Sequence, residues 1–104
     1  MREPIPIVCS LTGSELADRG NEFAAILGRG LLAREETLDG IRLRFRRSPG
    51  LQEDLAELTS REKECCPFFD FRIQVAGEEL VLEVGAPPEA RPMVDRLFAE
   101  AVAR

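Results

Sequence analysis

Two stretches of this sequence alternate strictly between apolar and polar residues, and this alternation constrains the fold more than any other feature. In the first stretch, Ile41, Leu43 and Phe45 alternate with three arginines. The apolar residues of the second stretch form two arms on either side of a glycine, and they are Phe69, Phe71, Ile73, Val75, Leu80, Leu82 and Val84. Such alternation is typical of strands with one buried face. The sequence therefore predicts antiparallel hairpins that share one apolar face.

Turn signals separate the arms of both hairpins. The dipeptide Asp39-Gly40 lies between residues 33–38 and 41–46, and it supplies the positive φ values that a type I′ turn requires. The arm before this turn alternates poorly, so its boundaries are less well defined. Gly77 marks the turn of the second hairpin.

Three other segments carry apolar residues at helical spacing. The first begins at a capping box, Thr12-Gly13-Ser14-Glu15, and continues to Leu31. The second follows Ser48-Pro49-Gly50, which offers an N-cap and a proline in the first turn. The third opens near Pro92 and runs to Val102.

The order of these elements predicts a single α+β domain over residues 1–104. A helix and a hairpin occur twice in succession, so we expect a four-stranded antiparallel sheet with helices on its apolar face and the other face open. A short strand or arm around Ile5 and Cys9 precedes the first helix, and Pro4 and Pro6 favour an edge position for it. A C-terminal helix completes the domain. The length fits one core, in a compact monomer or a small oligomer such as a homodimer.

The composition excludes several classes of function. The net charge of −5 argues against general nucleic-acid binding, which depends on a basic surface. The chain has no histidine, so Cys-His and Ser-His-Asp nucleophiles and Cys₂His₂ zinc sites are excluded. It has no apolar run that spans a bilayer and no signal-peptide pattern, so we expect a cytoplasmic location without membrane association. In that reducing compartment we expect the three cysteines to be free thiols rather than a disulfide framework.

Four arginines are expected on the open face of the sheet, namely Arg42, Arg44, Arg46 and Arg72. Cross-strand ion pairs with Glu79 or Glu83 are the ordinary role of such residues. Binding of an anionic ligand or of nucleic acid by this basic cluster is the alternative.

Two adjacent cysteines lie where the second helical pattern stops. One face of that pattern carries Leu51, Leu55, Leu58, Glu62 and Cys65. Glu62 is therefore expected to be buried, with an arginine or a backbone amide as its partner. Pro67 disfavours a helical conformation for Cys66, so we expect the two thiols to approach each other at a helix end near solvent.

Three functions are compatible with this pair. Thiolates are the best protein ligands for soft ions, so Cys65 and Cys66 are candidate ligands for Hg²⁺, As(III), Cu⁺ or a small thiophilic ligand. In a thiol-dependent redox enzyme or lyase, the two cysteines are the candidate catalytic groups, and Glu62 or Asp70 moves protons. In a regulatory or oligomerisation module, both cysteines are inert core residues. Ion binding is favoured over catalysis, no organic cofactor is implied, and zinc is disfavoured because adjacent cysteines converge poorly on a tetrahedral ion.

The segment 61–71 reads Arg-Glu-Lys-Glu-Cys-Cys-Pro-Phe-Phe-Asp-Phe. It resembles the Arg-Glu-x-x-Cys-Cys-x-Phe signature of a largely uncharacterised family of small bacterial proteins, common in actinobacteria, that carry a Cys-Cys-Pro-Phe motif. Related domains are appended to mercury-responsive MerR-type regulators. Further similarity lies in Cys9-Ser10-Leu11-Thr12, in the strand at 40–45 and in Leu80-Val81-Leu82, so it covers most of the chain. The resemblance implies a thiol-centred role in heavy-metal handling or sensing, with Cys9 as a third metal ligand within bonding range of the pair.

Overall fold

The computed structural model describes the backbone of residues 13–98 and, within that range, the side chains from residue 18 onward. The elements in chain order are α1 (Gly13–Leu27), β1 (Leu31–Glu36), β2 (Gly40–Arg46), α2 (Leu51–Cys65), β3 (Asp70–Ala76), β4 (Glu79–Gly85) and α3 (Arg91–Leu97). A 3₁₀ turn at Pro88–Ala90 leads into α3. This order confirms the predicted α+β fold class with two successive helix-plus-hairpin units. The predicted N-terminal strand and the end of the predicted last helix lie outside the described residues.

The four strands form one antiparallel sheet in the order β1-β2-β4-β3. The two hairpins therefore join through β2 and β4 at the centre, where Leu43 pairs with Leu82. Six side chains of these central strands point into the core and are at most 1% exposed, namely Ile41, Leu43, Phe45, Leu80, Leu82 and Val84. The helices α1, α2 and α3 contribute Phe23, Leu55 and Val94 to the same core. The predicted placement of the helices on the apolar face is confirmed.

The opposite face of the sheet carries ion pairs across the strands. Arg42 lies 3.6 Å from Glu35 of β1 and 3.6 Å from Glu83 of β4. Arg44 donates two hydrogen bonds to the Glu79 carboxylate, at 2.8 and 3.0 Å, and they hold the pKa of the Glu79 carboxyl below its usual value. The predicted pairing of these arginines with Glu79 and Glu83 is confirmed, and β1 contributes Glu35 as well.

The first hairpin turns differently from the prediction. A type I′ turn needs positive φ at Asp39 and Gly40, but the positive φ values within residues 13–98 belong to other glycines, namely Gly30, Gly50 and Gly77. Gly40 is instead the first residue of β2, and a Cβ atom there would lie 1.8 Å from the carbonyl oxygen of Val84. A glycine is needed at this position because two strands approach closely, not because the turn requires it.

Two helix boundaries also differ from the predictions, and a glycine with positive φ marks each of them. Gly30 follows α1, so Leu31 belongs to β1 and not to the helix. Gly50 is the N-cap of α2 and makes no side-chain hydrogen bond. Ser48 therefore does not cap α2, and Pro49 lies ahead of its first turn.

The edge strand β1 contains a register shift that explains its weak alternation. Leu31 pairs with Phe45 and Ala33 pairs with Arg44, so Leu32 is an extra residue in β1. Such a bulge reverses which side chains face the core. The residues beyond it are charged on both faces of the sheet, and the simple apolar alternation of the other strands is lost.

The bulge turns Arg34 and Glu36 toward the helices, where α3 meets them with opposite charges. Arg34 Nη2 lies 3.1 Å from Asp95 Oδ1. Arg91 of α3 pairs with Glu36 and also contacts Asp95 at 3.2 Å. The contact between α3 and β1 is therefore ionic, in contrast to the apolar packing above the central strands.

The strands of the two helix-plus-hairpin units follow each other at a fixed separation. β1 begins at residue 31 and β3 at residue 70, while β2 begins at 40 and β4 at 79, so both separations are 39 positions. Leu43 and Leu82, which pair at the centre of the sheet, are also 39 positions apart. The helices begin and end 38 positions apart, and their buried residues Phe23 and Glu62 are 39 apart. An approximate twofold axis between β2 and β4 therefore relates the units.

Candidate thiol site

The site is built where α1 and α2 lie side by side. Two ion pairs join the helices, Arg19 with Glu62 at 2.8 Å and Glu22 with Arg61 at 3.4 Å, and Arg29, just after α1, pairs with Asp54 of α2 at 2.5 Å. Residue numbers rise along α1 as they fall along α2, so the helices are antiparallel. The start of α1 therefore lies beside the end of α2, which carries the cysteine pair.

Glu62 is buried among apolar residues one turn before the cysteines. Its side chain is 1% exposed and accepts a hydrogen bond from Arg19 Nη1 at 2.8 Å. The expectation of a buried Glu62 with an arginine partner is confirmed. Burial raises the pKa of the Glu62 carboxyl, although the positive charge of Arg19 opposes the shift. Glu62 therefore holds a proton more readily than an exposed glutamate does.

The two cysteines have different environments. Cys65 is the last residue of α2, is partly exposed and carries a free thiol. Cys66 leaves the helix with φ −130° and ψ 78°, in agreement with the effect of Pro67 on the residue before it. Its side chain is 0% exposed and belongs to the hydrophobic core.

Cys66 is also disulfide-bonded, and its partner lies outside residues 13–98. Two expectations are therefore wrong for this residue, namely a free thiol and a position near solvent. The physical reason for its burial is the direction of the chain after α2, because Cys66 leaves the helix and its side chain joins the core that also holds Phe68 and Phe69. Only Cys65 keeps the predicted free thiol at the helix end.

The loop that carries Cys66 is held in place by a lysine and by stacked aromatic rings. Lys63 Nζ donates hydrogen bonds to the carbonyl oxygens of Pro67 and Phe69, at 2.8 and 2.5 Å. The buried rings of Phe68 and Phe69 lie 4.6 Å apart, and Phe71 continues the row at 5.5 Å. This role of Lys63 was not predicted from the sequence. A lysine four residues before a proline at a helix end was the available signal, because cations satisfy the last carbonyl groups of helices.

Asp70, the second candidate proton carrier, lies on the other face of the sheet. It is exposed, it pairs with Gly85 in the strand register, and it lines a cavity of about 180 Å³ together with Arg72 and Glu83. Cys66, in contrast, lies in the core on the helix side. The structure therefore places Glu62 within one turn of the two cysteines and leaves Asp70 apart from them.

A three-thiolate site would need Cys9, which lies outside the described residues. Among residues 18–98, no three histidine, cysteine or acidic side chains come together in a way that would hold a metal ion. No helix in the described part of the chain is long and apolar enough to cross a membrane. The described part of the site thus consists of the free Cys65, the disulfide-bonded Cys66 and the buried ion pair of Glu62.

Comparison of the chain with protein-family models, with curated proteins and with solved structures finds no match. The residues of the site are therefore the basis on which function is proposed.

Proposed function

We propose that this chain is a thiol-based domain that binds or senses a thiophilic heavy-metal ion such as Hg²⁺, As(III) or Cu⁺. The observation that supports the proposal is the free, partly exposed thiol of Cys65 directly beside Cys66 at the end of α2. Soft ions prefer thiolate over oxygen or imidazole ligands. In the reduced protein, Cys65 and Cys66 are the proposed ligands, and Cys9 is the proposed third ligand.

The first helix-plus-hairpin unit provides an internal reference for this site. Leu27 ends α1 as Cys65 ends α2, and Leu27 and the preceding Ile26 are both buried hydrophobic residues. Aliphatic side chains therefore satisfy the packing at this point of the fold. A partly exposed thiol where the first unit has a buried aliphatic side chain favours a chemical role over a purely structural one.

Ion binding at the pair requires the reduced protein. A thiophilic ion displaces the thiol proton and binds the thiolate, and a sulfur in a disulfide offers no thiolate. Since Cys66 is disulfide-bonded, a thiol reductant must act on it before both cysteines bind one ion. A cytoplasmic location, with its reducing thiol pool, fits this requirement.

Native mass spectrometry of the fully reduced protein tests the proposal. The protein is exposed in turn to Hg²⁺, As(III), Cu⁺ and Zn²⁺, and we expect one soft ion per chain and weak retention of Zn²⁺. Cys65→Ser removes the exposed ligand, and Glu64→Ser changes an exposed neighbour as a matched control. We expect Hg²⁺ binding at least about a hundredfold weaker in Cys65→Ser, a loss of about 2.7 kcal/mol, and unchanged binding in Glu64→Ser. Equal affinity in both variants would refute the proposal.

A thiol-dependent redox enzyme is the second candidate, and the free thiol of Cys65 next to a disulfide sulfur favours it. A dithiol substrate would attack the Cys66 disulfide, form a mixed disulfide and expel the other protein sulfur as a thiolate. The second substrate thiolate would then close the substrate disulfide and release Cys66, with two electrons passed to the protein. Repeated turnover of a dithiol in the presence of a disulfide oxidant would support this candidate. A single stoichiometric reduction would count against it.

A further inference from the structure

The two edge strands of the sheet are covered unequally. On β1, the inward side chains of Arg34 and Glu36 meet Asp95 and Arg91 of α3. The corresponding positions of β3, 39 residues later, are Ile73 and Val75. The inward side chains are therefore charged on β1, which α3 covers, and apolar on β3. Ile73 is only partly buried and Val75 is 46% exposed. Within residues 13–98, β3 pairs with β4 alone, so its other edge has no partner there.

The residues that precede α1 start from a point near this edge. The antiparallel arrangement of α1 and α2 places Gly13 beside the end of α2, close to Cys66 and the start of β3. Three residues lie between Cys9 and Gly13, so the four Cα–Cα steps span at most about 14 Å. Cys66 is disulfide-bonded, and with Cys65 free the sequence contains only Cys9 as a partner.

The N-terminal sequence has the properties of a strand that closes a sheet. Ile5, Ile7 and Cys9 alternate with other residues, so in an extended chain they share one face. Pro4 and Pro6 lack backbone N–H groups, so an extended chain would lack two hydrogen-bond donors along the same edge. Such a strand pairs through its other edge only, and prolines on the outer edge protect a sheet from further association.

We infer that residues 4–9 add to the free edge of β3 as a fifth, antiparallel strand, which a disulfide between Cys9 and Cys66 fastens at the start of β3. Cys66 lies just ahead of Asp70, the first residue of β3, so the chain from Cys9 back to Pro4 runs toward the end of β3. Ile7 and Ile5 then cover the half-buried Phe71 and Ile73. This inference is independent of ion binding, and it also brings a third sulfur to the cysteine pair.

A pair of proline variants tests the placement by hydrogen exchange of the β3 amides. Ile7→Pro removes an N–H that faces β3, whereas Val8→Pro removes one on the outer edge that Pro4 and Pro6 already define. We expect at least about tenfold faster exchange of alternate β3 amides in Ile7→Pro and no change in Val8→Pro. The amides of β2, at the centre of the sheet, report whether each variant is folded.

Peptide mapping of the oxidised protein without reduction provides the second measurement. We expect one peptide pair, linked through Cys9 and Cys66, in a monomeric protein. The inference is overturned if Cys66 is linked to a second copy of the chain. It is equally overturned if β3 amides exchange at the same rate in Ile7→Pro and Val8→Pro, or if β3 is protected only in a dimer.

Discussion

The two helix-to-strand junctions of this protein connect the same elements with different residues. After α1, the chain passes through Gly28 and Gly30, and Gly30 adopts a φ of 100°. After α2, the chain passes through Cys66, Pro67 and the aromatic residues, and Lys63 donates hydrogen bonds to the carbonyl groups of the loop. Glycines give backbone freedom without side chains. The second junction is held by a lysine and a proline instead, and it carries the two cysteines.

The helices show the same contrast one turn earlier. Phe23 of α1 is 0% exposed and packs edge-to-face against Phe98 of the C-terminal segment at 4.8 Å. Its counterpart in α2 is Glu62, which is equally buried but needs Arg19 of α1 as a partner. A buried ion pair stabilises less than apolar packing of similar volume. The second unit therefore keeps a polar group beside the thiols at some cost in stability.

The largest expected effect on stability comes from Phe23, the buried apolar residue of α1. Phe23→Ala removes a fully buried ring and its contact with Phe98, so we expect a loss of about 3–5 kcal/mol in the free energy of unfolding. Urea denaturation followed by circular dichroism measures it. A loss below about 1 kcal/mol would show that α1 packs less tightly than its burial indicates.

Arg19→Met breaks the buried ion pair and leaves the Glu62 carboxylate buried without its partner. We expect a loss of about 3 kcal/mol at pH 7. Burial raises the folded-state pKa of Glu62 above its unfolded value, so folding favours the neutral carboxyl. The contribution of Glu62 to the free energy of unfolding is therefore present below the unfolded-state pKa and is lost as the pH rises through the folded-state pKa.

The cost of Arg19→Met should therefore shrink as the pH is lowered toward the ordinary range of a glutamate. Urea denaturation at several pH values measures this dependence. The double variant Arg19→Met with Glu62→Leu is the control, because it makes α2 apolar like α1, and we expect it to recover most of the lost stability. A cost that does not vary with pH would show that Arg19 acts through packing alone.

The two junctions can be broken separately, with smaller effects. Gly30→Ala forces a side chain into a left-handed backbone conformation and is expected to cost about 1–2 kcal/mol. Lys63→Met removes two hydrogen bonds to the Cys66 loop, so a loss of about 1 kcal/mol is expected. Only Lys63→Met should speed the reaction of Cys66 with a reductant such as dithiothreitol. If Gly30→Ala accelerates that reaction equally, the two junctions are not independent.

The smallest effect is expected on the open face of the sheet, where the charges are solvated. Arg44→Ala removes the hydrogen bonds to Glu79, but exposed ion pairs contribute little, and we expect no measurable shift of the denaturation midpoint. The folded-state pKa of Glu79 is lowered, so its contribution is present above the unfolded pKa and is lost as pH falls. This dependence is opposite to that of Glu62. Titration followed by NMR should show the Glu79 pKa rising in Arg44→Ala, and an unchanged pKa would contradict the assigned pairing.

The sheet and the repeated helix-plus-hairpin unit could be predicted from the sequence because alternation and helical spacing are local. The burial of Glu62 followed from the same spacing. The choice of Arg19 as its partner did not, because it depends on the antiparallel packing of two helices separated by a hairpin. The role of Gly40 was misassigned for a similar reason, since the carbonyl group that it accommodates belongs to Val84 in the other hairpin. The disulfide of Cys66 likewise depends on a partner that is distant in sequence.

The junction of β2 and β4 at the centre of the sheet also has a consequence for the folding rate. Each hairpin closes through contacts between nearby residues, whereas β2 and β4 pair across tens of residues, so their association is the slow, long-range step. A chain in which only one unit has formed exposes a central strand with unpaired backbone groups and a fully apolar face. That intermediate is the species most prone to pair with a neighbouring chain. Aggregation during refolding should therefore depend on how fast the second unit docks, not on the stability of the finished sheet.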